Sequence, residues 1–309
     1  MVEMSKKLRD MIHEKYKLNI NHITLERNKG REIWLADTGK GSMIIKKFSR
    51  TEPRVKFIVE GIRHLKNNGI NTPKIHTNKD NKLYTNFRGN CYILMEVIIG
   101  RPPRYQNTDD LKAITNELGR FHRLSKGFIP PAESQIISYL GTWPNMLING
   151  LNTLRYANKF ERNKDKNSEF KEVILQELPH FKKRIKKLIP ALEGSYYNSW
   201  VEKAKKNGSL CHLDYARYNI KIDPNNRVYI FDFDTLALDL PVLDIRKLIY
   251  HIYYTNLYDK DTIKNVLCWY QQYNPLTKEE WKVAKLIFMY PIELISALEK
   301  YLKTKKGKT

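Results

Sequence analysis

Between residues 210 and 234, five polar side chains stand at spacings that suit phosphoryl transfer. His212, Asp214 and Asn219 fall in the order His-x-Asp-x-x-x-x-Asn, and a later apolar run ends in Asp232-Phe233-Asp234. In such a layout one aspartate accepts the proton of an attacking hydroxyl. An asparagine and a later aspartate hold magnesium against the phosphates of a nucleotide. Magnesium takes oxygen ligands and draws few of them from protein, so two or three oxygens from this stretch are enough. Any one of these residues alone reads as a turn cap. The joint pattern carries the chemical reading.

Something must bring the two halves of that pattern together. Ile220, Ile222, Val228 and Ile230 alternate with other side chains on either side of Asp223-Pro224-Asn225-Asn226. Alternation around a Pro/Asn turn predicts a hairpin. Its ends would lie side by side, with Asn219 at one and Asp232 at the other. Upstream, Ile23 to Phe48 reads as strands, with a turn over Asp37-Thr38-Gly39-Lys40-Gly41. Met43-Ile44-Ile45-Lys46 resembles the kinase segment Val-Ala-Ile-Lys, which places Lys46 against nucleotide phosphates and turns Lys47 to the opposite face. No Gly-x-Gly-x-x-Gly precedes this strand. The one candidate phosphate loop is Arg27-Asn28-Lys29-Gly30-Arg31. A helix follows over Ser49 to Asn68. In kinases a glutamate on that helix pairs with the strand lysine; Glu60 is the candidate, although it falls nearly opposite the apolar face, and Glu52 is second. Strands around Lys82 to Phe87 and Cys91 to Val97 lead into Leu94-Met95-Glu96-Val97-Ile98-Ile99-Gly100. In a kinase-like fold the backbone there, at Met95, Glu96 and Val97, would bind adenine; a plain buried strand is the other reading.

Further helices are expected over residues 4–18, 109–126, 143–207 in several pieces, 245–254, 258–272 and 277–303, with a frayed tail from Lys303. His122 falls beside the apolar stripe of its helix and reads as a satisfied core residue. In Phe170 to Ile189, Val173, Ile174, Leu178, Phe181, Ile185 and Leu188 form a stripe, with Lys182, Lys183, Arg184, Lys186 and Lys187 around it. That basic face reads first as solvated and second as a cationic rim for an anionic acceptor. Asp244, before the 245–254 helix, either caps it or buttresses the catalytic loop.

The 309 residues suffice for two lobes, and 41% hydrophobic content suits a globular protein. No apolar run reaches membrane-spanning length, and Met-Val-Glu-Met-Ser-Lys-Lys is too polar for a secretory signal. Three widely spaced cysteines, none in Cys-x-x-Cys, argue against a zinc site or a disulfide framework and for a reducing compartment. The net charge of +22 is spread along the chain. With no DNA or RNA recognition motif, it reads as a modifier of binding.

His212-x-Asp214-x-x-x-x-Asn219, Asp232-Phe233-Asp234 and the Asp244 helix resemble the aminoglycoside phosphotransferase and choline kinase superfamily, and within it the CotS-type spore coat proteins. Supporting stretches are residues 64–69, 119–128 and 210–215, and the resemblance runs from about residue 20 to 300. It implies an α+β, bilobal protein-kinase-like fold: a small β-rich N-lobe, residues 1–97, and a larger, mostly helical C-lobe, residues 98–309. It implies ATP with Mg2+ and transfer of the γ-phosphoryl group to a small-molecule hydroxyl. On these positions Asp214 is the base, with His212 supporting its loop. Asn219 and Asp232 are metal ligands, Asp234 assists a second metal, and Lys46 contacts phosphate. The coat branch implies synthesis in the mother-cell cytoplasm of a sporulating bacterium and deposition in the spore coat beside other coat proteins. No specific nucleic-acid or membrane partner is expected from the sequence. Two positions depart from the superfamily. Leu213 stands where many members have Gly, and Ala216, two residues after the base, supplies no donor to the γ-phosphate. An inactive kinase-fold coat component is therefore the alternative expectation.

Overall fold

The computed structural model describes residues 4–27, 32–163, 169–255 and 259–306. The first part of the chain runs α1 (Lys6–Tyr16), β1 (Ile20–Arg27), β2 (Ile33–Thr38), β3 (Gly41–Phe48), α2 (Glu52–Asn67), β4 (Ile75–His76), β5 (Thr85–Phe87), β6 (Asn90–Glu96) and α3 (Thr108–Leu124). Three helices follow: α4 (Trp143–Arg162), α5 (Glu169–Glu193) and α6 (Tyr197–Asn207). Then come β7 (Leu210–Cys211), β8 (Ile220–Ile222), β9 (Val228–Ile230), β10 (Ala237–Leu238), α7 (Val242–Tyr254), α8 (Lys260–Tyr273), α9 (Lys278–Met289) and α10 (Ile292–Lys306). The α+β kinase-like class expected from the sequence is the one observed. The chain forms two compact units, one of residues 1–138 with 207–275 and one of residues 139–206 with 276–309.

In the first unit the antiparallel order is β1-β2-β3-β6-β4, with β5 also paired to β6. Strand alternation sorts its side chains. Met43 and Ile45 of β3 pack with Trp34, Ala36 and Leu94 against Leu8, Met11 and Ile12 of α1. Lys46, next after Ile45, therefore turns to the other face. Lys47 returns to the first face, where its Nζ lies 3.1 Å from Glu32. The turn between β2 and β3 needs a left-handed residue, and Gly41 supplies it at φ 97°. Helix α2 buries Val55, Phe57, Ile58, Ile62 and Leu65. Helix α3 starts where the Asn107 side chain accepts the Asp110 N–H at 2.9 Å. Arg101 grips the Asp110 carboxylate with two bonds, of 2.5 and 2.7 Å.

The second unit contains α4, most of α6, and α5, α9 and α10. Ile174, Leu178, Ile185 and Leu188 of α5 are buried as their spacing predicts, whereas Val173 is exposed. Lys183, Arg184, Lys186 and Lys187 are all exposed, so this face is solvated. One long helix was expected over 277–303; it is instead two. Pro291 lacks an N–H and cannot continue α9, so the chain restarts at Ile292. Helix α10 then continues to Lys306, past the point expected to fray. No helix among the described residues is long and apolar enough to cross a membrane.

Candidate active site

The loop that carries Asp214 is entered from β7, which pairs with β10. Next comes His212, then Leu213 in the left-handed region at φ 62°. This geometry is imposed from below by Asp244, in the first turn of α7. Its Oδ2 accepts the His212 N–H and its Oδ1 the Leu213 N–H, each at 2.7 Å. His122 of α3 adds a third bond, its Nε2 lying 3.0 Å from Asp244 Oδ2. Of the two roles open to Asp244, the structure assigns the buttress. Burial alone would push this carboxyl's pKa up; the His122 hydrogen bond and charge, then the His212 N–H, hold it below the usual range. His122 is buried as expected, and its other nitrogen lies 2.8 Å from the Tyr270 hydroxyl.

His212 works within the loop. Its Nδ1 accepts the Asp214 N–H at 3.2 Å, so Nε2 carries the proton and donates to the Phe231 carbonyl at 3.0 Å. One imidazole thus ties the residue after β9 to the loop before β8. Tyr215 anchors the same loop to α3 through its hydroxyl, which donates to the Ile114 carbonyl at 2.7 Å.

The hairpin forms where alternation placed it. Ile220 pairs with Ile230 and Ile222 with Val228. Asp223 closes the turn by accepting the Asn225 and Arg227 N–H groups at 2.9 and 2.8 Å. The Asn219 carbonyl accepts the Phe231 N–H at 3.1 Å, which sets Asn219 beside the Asp232 segment. On its outer side the hairpin pairs with Arg101. The approach is so close that a Cβ on Gly100 would fall 2.7 Å from the Ile222 carbonyl oxygen.

Asp214 Oδ2 and its own carbonyl both accept from Asn219 Nδ2, at 2.9 Å. Asp214 Oδ1 accepts from the Tyr218 hydroxyl at 3.0 Å and lies 3.4 Å from Lys247 Nζ. With its nitrogen spent on Asp214, Asn219 has its carbonyl oxygen to offer a cation. Lys46 Nζ donates to Asp232 Oδ1 at 2.6 Å and to Asp234 Oδ1 at 2.5 Å, and lies over the Phe48 ring. Asp232 sits in the left-handed region at φ 62°.

Lys46, Asn219 and Asp232 line a cleft of about 290 Å³, together with Met95, Glu96 and Val97. The cleft wall is otherwise mainly apolar, with Ile33, Ile44 and Ile98 in it. Lys221 at its rim donates to the Ile98 carbonyl at 2.8 Å. Glu60 does not make the expected pair with Lys46. It pairs instead with Arg63, one turn along its own helix. Glu52 is also engaged elsewhere, accepting from Tyr84 and Asn86 at 2.9 and 3.0 Å. What α2 sends to the site is Arg54, which is buried and donates to the Asp234 and Leu236 carbonyls at 3.2 and 2.5 Å. Asn28 to Arg31 of the candidate phosphate loop lie outside the described residues.

Sequence reasoning missed Arg54, Tyr218 and Lys247. Tyr218 could have been found, since it lies four residues after Asp214. Arg54 and Lys247 sit in ordinary amphipathic helices, and nothing local distinguishes them.

The structure resembles that of an aminoglycoside phosphotransferase from Alicyclobacillus acidocaldarius, with a TM-score of 0.80 at 17% identity over 96% of this chain and 86% of that one. It also resembles spectinomycin phosphotransferase APH(9)-Ia in its AMP-bound complex, with a TM-score of 0.68 at 14% identity over 98% and 90% of the two chains. These likenesses establish the fold. In sequence, spore coat protein S of Bacillus subtilis (strain 168) is 26% identical over 295 residues, 94% of this chain and 83% of that protein. Residues 9–309 match the family described as "Spore coat putative kinase YutH", and the chain belongs to that spore coat, kinase-like family.

Proposed function

We propose that the protein is an ATP- and Mg2+-dependent phosphotransferase of the spore coat that acts on a hydroxyl of a small molecule. The observation that carries this reading is that Lys46, Asn219 and Asp232 line one cleft, with Asp214 hydrogen-bonded to Asn219 and Asp234 to Lys46. Asp214 is the base, oriented by Asn219 and Tyr218 and carried on a loop that His212 and Asp244 hold rigid. Met95, Glu96 and Val97 form the hinge between a small lobe, residues 1–97, and a larger one, residues 98–309, and bind the base of the nucleotide. Lys46 binds phosphate.

The metal reading is supported by the donor set. Asp232 and Asp234 already converge on one positive point, the Lys46 ammonium. They and the Asn219 carbonyl are hard oxygen donors of the kind magnesium selects. The ion would neutralise charge on the nucleotide phosphates.

The second reading, an inactive kinase-fold component of the coat, rests on Ala216. Its buried methyl offers the transferred phosphoryl group no donor from the loop. Thermal denaturation with ATP and magnesium separates the two readings. A ligand that binds the folded state at a hundred times its dissociation constant adds about 2.7 kcal/mol. The expected result is a magnesium-dependent rise in Tm for the wild type and none for Asp232→Ala. No rise at millimolar nucleotide would leave a kinase-shaped coat protein.

A further inference from the structure

We propose that Lys247, on α7, contacts the transferred phosphoryl group and supplies the positive charge that the loop lacks at residue 216. The inference rests on the phosphotransferase reading and sharpens it.

The argument begins with what the loop cannot do. Ala216 is fully buried and has no polar atom in its side chain. Arg217, the next cation along the chain, has an exposed side chain, and its backbone N–H is held by the Tyr105 hydroxyl at 3.0 Å. Another element brings a charge to Asp214 itself. Lys247 comes from α7, and its Nζ stops 3.4 Å from Asp214 Oδ1, with the side chain 35% exposed. That separation is long for a charge-assisted hydrogen bond. The ammonium is near enough to feel the carboxylate and remains available to a second anion. Lys46 differs: it is buried and held by two short bonds.

The surroundings of Lys247 fit this role. Tyr218 donates to the same Asp214 oxygen at 3.0 Å. His251, one helical turn after Lys247, stands edge-on to the Tyr218 ring at 6.2 Å. Its Nε2 is buried without a hydrogen-bond partner. Burial, and then the Lys247 charge, push the His251 pKa down, while Asp214 pushes it up.

In the transfer, the acceptor oxygen bonds to the γ-phosphorus as the bond from phosphorus to the β–γ bridging oxygen breaks. The bonding pair leaves with the diphosphate, and the hydroxyl proton passes to Asp214. Negative charge collects on the equatorial oxygens next to a carboxylate. A positioned ammonium there offsets that repulsion.

The test compares two magnesium nucleotides, ADP and a non-hydrolysable ATP analogue, by titration calorimetry on wild type, Lys247→Met and Lys247→Arg. Only the analogue has a γ-phosphate, so Lys247→Met should weaken it roughly tenfold and leave ADP within about twofold. Lys247→Arg should recover most of the loss. ADP binding serves as the folding control in each variant, and Lys247→Gln replaces Lys247→Met if that variant does not fold. Equal losses for both nucleotides, or no loss for either, would overturn the role of Lys247 and leave the nucleotide site intact. A wild type that binds neither nucleotide would overturn the phosphotransferase reading itself, and this inference with it.

Discussion

Asp239 and Asp244 stand five residues apart, both with no exposed surface, and their surroundings treat them in opposite ways. At Asp239, burial pushes the pKa up to about 7, against the Leu240 N–H and with help from the Asp244 charge. Its Oδ1 accepts that N–H at 2.7 Å, and its Oδ2 has no hydrogen-bond partner among the described residues. At Asp244 the same burial is outweighed by three donors, and the pKa falls. Burial therefore does not decide the charge of a carboxyl here. The number of aimed donors does. Two of the three donors at Asp244 are backbone N–H groups of the catalytic loop, so the charge that is kept is the one that shapes the candidate site.

The largest break in this contrast should come from Asp244→Ala. It would strand the N–H groups of His212 and Leu213 and the His122 imidazole in the core, at a cost of about 3–5 kcal/mol. Urea denaturation measures this, and a loss below about 1 kcal/mol would mean that the loop is held by other bonds. A smaller effect of opposite sign is expected at Asp239. Its folded pKa is raised, so between the unfolded value of about 4 and about 7 the folded state holds a proton that the unfolded chain lacks. Wild-type stability from this group thus falls as pH rises through that window. Asp239→Asn removes that slope, and at pH about 8 it should be the more stable protein by on the order of 2 kcal/mol. Equal pH slopes in the two proteins would show that Asp239 is already ionised and paired. The smallest effect belongs to Leu213, a branched side chain at φ 62° held there by Asp244. Leu213→Gly should relieve about 1 kcal/mol of left-handed strain, less the added freedom of glycine in the unfolded chain. Calorimetric Tm values would show it, and a lower Tm would mean that the leucine's packing outweighs its strain.

The sequence made some of this legible and left some of it dark, for physical reasons. The β8–β9 hairpin was legible because period-two apolar residues flank an Asp-Pro-Asn-Asn turn, and both signals are local. The site followed from it, since the hairpin's ends must be neighbours. The partner of Lys46 was misread. A glutamate on α2 was expected, but Glu60 pairs with Arg63 on that helix, and two aspartates from the hairpin's exit take its place. Strands β4, β7 and β10 are two residues each, too short to leave a pattern. His122 could be placed in the core from its stripe, but not beside Asp244, because that contact spans 122 residues. The break at Pro291 was readable, and it was overridden by the apolar periodicity on either side of it.

Lys46 has a history as well as a position. Its two partners lie 186 and 188 residues further along the chain. At roughly 5–20 residues per second, a ribosome needs about 10–40 s to deliver the first of them. Through that interval β3 can pair with β2, but the ammonium on its inner face has no carboxylate to meet. The sheet therefore either waits or keeps that face wet. Closure of the site is a late event in synthesis, and a chain that stops short of Asp232 would carry a lysine pointed into a core that it cannot neutralise.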